Sequence, residues 1–314
     1  SFLYKDVLYL SFFTMTLYFF LESIGRFNVK NLILLAFFTA LSVNLRIFSI
    51  ILPLLFIFIL IIKNFYNKNF ADILKKILIY FFFFLIFLYM FWPYLWSNPL
   101  DNFYDIFKFL TRDLIDVKIL YDNNYISNRI VPDSYILNWI MITSPVLQFL
   151  IFIFGLLTYL LRLGNRFLKV TKNSTHNDLW RSKKEEIDFV FFLFFITFYL
   201  LFLISKAPMY NGWRLVYFLN IFIVYFAVLT LDFIKIKFYK IKYLKKSFIL
   251  LSIFVILQNV HSIIKFHPYQ SIYFNNFLSE KTINGYEGDY HGVGTKHFFQ
   301  KLLEIEKGNK INVA

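Results

Sequence analysis

The sequence predicts an all-α polytopic membrane protein, and three observations carry that expectation. Of its 314 residues 59% are hydrophobic, against about 45–50% in a soluble domain. The apolar residues run in blocks long enough to cross a bilayer. Short Lys-rich stretches separate the blocks. Together these exclude a soluble globular enzyme, a disordered chain and a disulfide-built secreted domain. The formal charge of +14 does not point to nucleic acid here. In multi-span proteins Lys and Arg mark the cytoplasmic loops, so no nucleic-acid partner is expected. The absence of Cys excludes thiolate metal sites and Cys nucleophiles.

About eight spans are expected, near 7–24, 31–45, 47–62, 77–92, 135–161, 189–205, 215–231 and 248–264. The stretch 31–62 decides the count. As one helix its 32 residues would measure about 48 Å, against a hydrocarbon core of about 30 Å. Two short helices meeting at 44–46 fit better, because they put Arg46 at a hairpin tip rather than at the bilayer centre. One strongly tilted helix is the alternative. With eight spans, the loops 25–30, 63–76, 162–188 and 232–247 share one side, the cytoplasm, and hold 19 of the 33 basic residues. The other side then holds the loop 93–134, the turn 206–214 and the tail 265–314. The domain reading is a transmembrane part over 1–264 and an extracytoplasmic, truncated tail over 265–314. The chain begins with Ser and stops in a charged segment, which reads as a piece cut at both ends.

The outer side holds the polar clusters. In the loop 93–134, Asn98-Pro99 resembles a helix start, with Asn as cap and Pro in the first turn. Phe103, Ile106, Phe107 and Leu110 then share a face, away from Asp101, Asp105 and Lys108. That pattern suits an amphipathic helix on the membrane surface, either an anchor or a wall beside a lipid substrate. Lys206 and Arg214 flank the Asn211-Gly212 turn. They read as snorkelling interface residues or as a phosphate grip. Arg46 is a third cation at that depth, an anchor or a functional group. The tail carries His267, Tyr269, Asp289, Tyr290 and His291. His267, Asp289 and His291 have the chemistry for metal binding or acid–base work, but their spacing fits no zinc motif. No metal site is assigned from them. Packing of the tail and a sugar- or diphosphate-facing surface are the other readings.

Four stretches in order resemble one family. They are Leu41-Ser42-Val43-Asn44-Leu45-Arg46 leading into Leu52-Pro53-Leu54-Leu55, Trp139 followed by Ile142-Thr143-Ser144-Pro145, Asn211-Gly212-Trp213-Arg214-Leu215-Val216-Tyr217-Phe218, and His267-Pro268-Tyr269-Gln270-Ser271-Ile272-Tyr273-Phe274-Asn275 followed by Asp289-Tyr290-His291-Gly292. The chain thereby resembles the polyprenyl-phosphate-dependent glycosyltransferases of the GT-C fold, relatives of the protein O-mannosyltransferases and the lipid A aminoarabinose transferase. The resemblance implies transfer of a sugar from a polyprenyl-phosphate carrier to a protein, lipid or glycan acceptor on the outer face of the cell (inner) membrane. It implies Arg46, Lys206, Arg214, His267, Tyr269, Tyr290 and His291 as contacts to substrate or lipid phosphate. The family's catalytic carboxylate lies in a first outer loop that these residues do not include. Asp101, Asp105 and Asp289 are the nearest acidic candidates within them. No cofactor is assigned, and a divalent cation stays open. A polysaccharide polymerase, ligase or flippase, or another multi-span transporter, is the alternative.

Overall fold

The computed structural model describes residues 4–25, 27–64, 70–111, 116–168, 179–238, 242–270, 273–289, 292 and 294–305. Two compact units divide the chain. The first holds Ser1–Asp116, Phe152–Ala207 and Arg214–Leu229, and the second Val117–Ile151, Pro208–Trp213 and Thr230–Ala314.

The first unit is helical. Helix α1 covers Tyr4–Ile24, and α2 covers Val29–Leu45. Asn28 opens α2, its side-chain oxygen accepting from the Lys30 amide at 3.0 Å, as helix caps do. At Arg46 the backbone turns extended, with φ −144° and ψ 104°. A 3-10 turn over Ile47–Ile50 then leads into α3, Ile51–Asn64. The apolar run 31–62 is therefore interrupted at Arg46. Helix α4 spans Phe70–Phe91 and starts seven residues before the expected boundary of 77. Its charged first turns are accommodated because Lys76 pairs with Asp72 at 3.6 Å and donates to the Gly25 carbonyl at 3.2 Å. A short helix, α5, runs Pro99–Thr111.

Aromatic side chains make the core of this unit. Phe13, Phe20, Phe56, Phe194, Phe198, Phe218 and Phe222 are fully buried. They meet edge to face, as in Phe20–Phe194 at 4.8 Å and Phe13–Phe218 at 4.9 Å, the arrangement that the ring quadrupole favours. The opposite faces are apolar and open. On α4, Leu74, Leu78, Phe82 and Leu85 form an exposed stripe. A continuous stripe of that kind has no place in water and suits lipid. Among the described residues, five helices are long and apolar enough to cross a membrane: Lys5–Ile24, Phe70–Phe91, Val146–Leu168, Lys183–Ser205 and Arg214–Ile236. Three more are apolar but shorter, at Val29–Leu45, Ile47–Lys63 and Ser252–Lys265. The molecule is a largely helical protein embedded in a membrane.

The basic loops of the first unit gather at one end. Lys76 reaches Gly25, and the Lys75 ammonium sits 4.9 Å from the Phe27 ring centre. Lys63 pairs with Glu186 near the start of helix α8, which covers Lys183–Ser205. The ends of the loops 25–30, 63–76 and 162–188 thus meet. Asn44, at the far end of α2, donates to the carbonyl of Phe91, at the far end of α4.

The second unit departs from an all-α reading in one place. Strands β1, Lys118–Tyr121, and β2, Asn124–Ser127, pair antiparallel, with Lys118 opposite Ser127 and Tyr121 opposite Asn124. Asp122 and Asn123 make the turn with φ of 50° and 62°, the left-handed conformation that two-residue hairpins demand. The expected span 135–161 is also divided. Helix α6, Tyr135–Thr143, stops at Ser144 with ψ 142°, and helix α7 runs Val146–Leu168. Pro145 supplies the reason, since it disfavours helix at the preceding residue. Helix α9, Asn220–Phe238, starts in the first unit and ends in the second, and α10, Lys242–Lys265, the short α11, Glu280–Ile283, and α12, Thr295–Ile305, follow in the second.

Candidate functional site

In the first unit three chain segments bring four charges together. Asp6, in the first turn of α1, is 4% exposed. Its Oδ1 accepts from Nη2 of Arg46, and its Oδ2 accepts from Nε of Arg214. Arg46 stands at the break between α2 and the following 3-10 turn, and Arg214 opens the 3-10 turn Arg214–Leu219. Lys5 lies within electrostatic reach of Arg46, Asp6 and Arg214. Asp6 thus binds two guanidiniums, with a third cation nearby. The Nε–H of Arg46 is buried and, among the described residues, has no acceptor. A buried donor left unpaired carries a desolvation cost of about 1–3 kcal/mol, more for a charged group, so an arriving anion gains a donor already stripped of water. Below the cluster, Tyr9 and Ser49 share a hydrogen bond of 2.7 Å, and the Phe48 ring stacks on Phe218. This apolar floor fixes the backbone that carries both arginines.

A second ionic cluster lies in the same unit, at the start of α8. Asp188 is wholly buried. Arg162 Nη2 donates to its Oδ2 at 2.6 Å, and the Tyr225 hydroxyl donates to its Oδ1 at 2.6 Å. Arg166 pairs with Glu185, and Lys63 with Glu186. Here each carboxylate has its cation.

The second unit assembles three of the quoted stretches around Trp139. Gly212, at φ +64°, lies against the Trp139 ring, where a β-carbon would approach to 3.3 Å. Tyr135 donates to the Gly212 carbonyl at 3.2 Å. Asn275 is buried and donates from Nδ2 to the Ser144 carbonyl at 2.6 Å, while its amide donates to Ile142 at 2.8 Å. The carbonyls left bare by the end of α6 are thereby satisfied. Glu287 accepts from the Gly212 amide at 3.3 Å. Burial pushes its carboxyl above the ordinary 4.5, and the Gly212 and Asn211 amides oppose that shift.

The expected contact residues divide between these places. Arg46 and Arg214 converge on Asp6. Lys206 ends α8 in a left-handed conformation, exposed and, among the described residues, without an ion pair. His267 and Tyr269 belong to the second unit. His267 Nδ1 lies 3.0 Å from Gln270 Nε2, and the Tyr269 hydroxyl meets His297 Nδ1. Asp289 accepts from the Gly294 amide. Tyr290 and His291 lie outside the described residues. Asp101 and Asp105 are exposed on α5. Among the described residues no three His, Asp or Glu side chains are placed to hold a metal ion. Sequence reasoning missed Asp6, because a single acid at the edge of an apolar run looks like an ordinary helix start. No family model, no curated protein and no solved structure matches this chain.

Proposed function

We propose that the protein is a membrane glycosyltransferase of GT-C-like fold that takes a sugar from a polyprenyl-phosphate carrier and passes it to an acceptor on the outer face of the cell (inner) membrane. The observation that carries this reading is the unequal cluster at Asp6. Two guanidiniums bind the single buried carboxylate there, and the Lys5 ammonium lies within electrostatic reach. A phosphate would accept from the buried Nε–H of Arg46, and Arg grips phosphate through a planar fork of donors. Asp6 is then the organiser that holds both arginines toward one point rather than the base of the reaction. A separate carboxylate takes the acceptor's proton.

The depth of the cluster supports a lipid-borne phosphate. The loops 25–30 and 63–76 meet at one end of the first unit. Two chain segments, Val29–Leu45 and Ile47–Lys63, lie between them. An even number of crossings returns the chain to the same side, so each segment is one crossing and Arg46 falls at the opposite surface. A 17-residue helix is about 26 Å long, close to the hydrocarbon thickness. On this reading the five longer helices and Ser252–Lys265 bring the number of crossings to eight.

Transfer from a labelled polyprenyl-phosphate sugar, measured with the whole protein in proteoliposomes, tests the reading. Arg46→Ala and Arg214→Ala are expected to abolish transfer while the protein still inserts and elutes normally. Unchanged transfer in both variants removes the phosphate grip. Carrier binding without transfer moves the assignment to a polymerase, ligase or flippase.

A further inference from the structure

We infer that α12 is an interfacial helix whose apolar face lies on the lipid bilayer at the point where α10 leaves it. At 3.6 residues per turn, Phe298, Phe299, Leu302, Leu303 and Ile305 fill an arc of about 160°. Lys296, His297, Gln300, Lys301 and Glu304 fill the rest. Lys296 and Lys301 stand at the two margins of the apolar arc, where their ammonium groups reach head groups while their stems stay in apolar surroundings. None of the helix's residues is buried. Phe298, Leu303 and Ile305 are 59%, 66% and 74% exposed.

Length makes the open face significant. An isolated helix of 11 residues is marginal in water, and most helical stability comes from packing of an amphipathic face. Phe298 and Phe299 border an open cavity with Tyr269, Gly292 and Gly294, and the described chain buries no residue of the face. The bilayer is the occupant within reach. Tyr269 holds the helix through His297, on the polar arc, so the apolar arc is left open. Tyr269 follows Lys265, the last residue of α10, by four positions. That tether spans at most about 14 Å. The side chains of α10 carry their own apolar exposure, with Phe254, Ile256, Leu257 and Ile264 all open. The inference rests on α10 as a membrane span, and not on the sugar-transfer activity.

The absence of native Cys gives a clean test. Single-cysteine variants Phe298→Cys, Leu302→Cys and Gln300→Cys, each carrying an environment-sensitive fluorophore, are placed in nanodiscs as the whole protein. Quenching by a lipid-borne spin label is expected to be several-fold stronger at 298 and 302 than at 300. Leu257→Cys in α10 is the control for the span itself. Strong quenching at 257 with none at 298 and 302 overturns the interfacial helix but keeps the span. Loss of quenching at 257 overturns the span. Protection of 298 and 302 from both lipid-borne and aqueous quenchers would show a protein segment on that face, and would equally overturn the lipid assignment. Photolabelling of the unmodified protein by a lipid diazirine should mark the peptide 295–305, and an unmarked peptide counts against it.

Discussion

Asp6 and Asp188 are both buried carboxylates in the first unit, and both bind arginine, yet their surroundings are opposite in kind. Asp188 has one guanidinium and one neutral hydroxyl, and the acids beside it are matched by Arg166 and Lys63. Charge is balanced there, and every partner lies on the spans or loops being joined. Asp6 has two guanidiniums and a neighbouring ammonium, and one guanidinium keeps a buried N–H without an acceptor. The comparison teaches that a buried ion pair is not a function by itself. A pair whose donors are met fastens elements together, whereas one with a buried donor left over retains attraction for an ion from outside.

The comparison can be broken by substitution, and the largest effect concerns activity. Arg214→Ala in proteoliposomes should reduce sugar transfer to background, whereas Arg162→Ala should leave the rate per folded molecule near wild type. Equal loss in both would erase the distinction between the clusters. Next comes stability. Asp188→Ala leaves Arg162 and Tyr225 without their shared acceptor. Removing one member of a buried pair costs about 3–5 kcal/mol. Since Arg162 is one-third exposed, the lower end is expected, read as a fall in thermal midpoint in detergent or nanodiscs. Asp6→Asn sharpens the contrast, because it leaves one acceptor oxygen where Asp6 offers two, one to each guanidinium. Binding of a phosphate-bearing lipid should weaken, and a strengthened binding would show that Asp6 acts as a competing counter-charge rather than by aiming the two forks.

Two smaller effects belong to the second unit. At Gly285 a β-carbon would sit 2.6 Å from Asn123 Oδ1 and 2.8 Å from its amide nitrogen. Gly285→Ala should cost about 1–3 kcal/mol, seen as faster hydrogen exchange in the β1–β2 hairpin. Glu287 gives the smallest signal. Its carboxyl titrates above the ordinary 4.5 in the folded protein, so the folded state holds the proton more tightly than the unfolded one. Its contribution is fully present below 4.5 and declines as pH rises through the elevated value. Protection of the 209–213 amides relative to their intrinsic exchange should therefore fall across that interval, and Glu287→Gln should remove the trend.

Much of the architecture was legible in the residues. The apolar runs, Lys-rich separators and Arg46 within 31–62 all mark helices and their limits, because bilayer thickness and charge burial act on local sequence. Pro145 is equally visible, but the long apolar run around it hides the break it makes in 135–161. The hairpin escaped because Lys118–Tyr121 and Asn124–Ser127 are only four residues each. Its Asp122-Asn123 turn carried the available signal. Arg46 and Arg214 were legible as candidates, since an Arg near a span stands out against lipid. Asp6 was not, because acids are ordinary at helix starts.

By itself, then, the sequence determined a membrane-embedded helical protein and the cations it would carry near its surfaces, because hydropathy and charge are properties of short segments. The tertiary structure alone decided which cations share a carboxylate and which are matched. Asp6 stands 40 positions from Arg46 and 208 from Arg214. Pairing over such separations follows from how buried aromatic side chains pack the helices, and no local pattern encodes it.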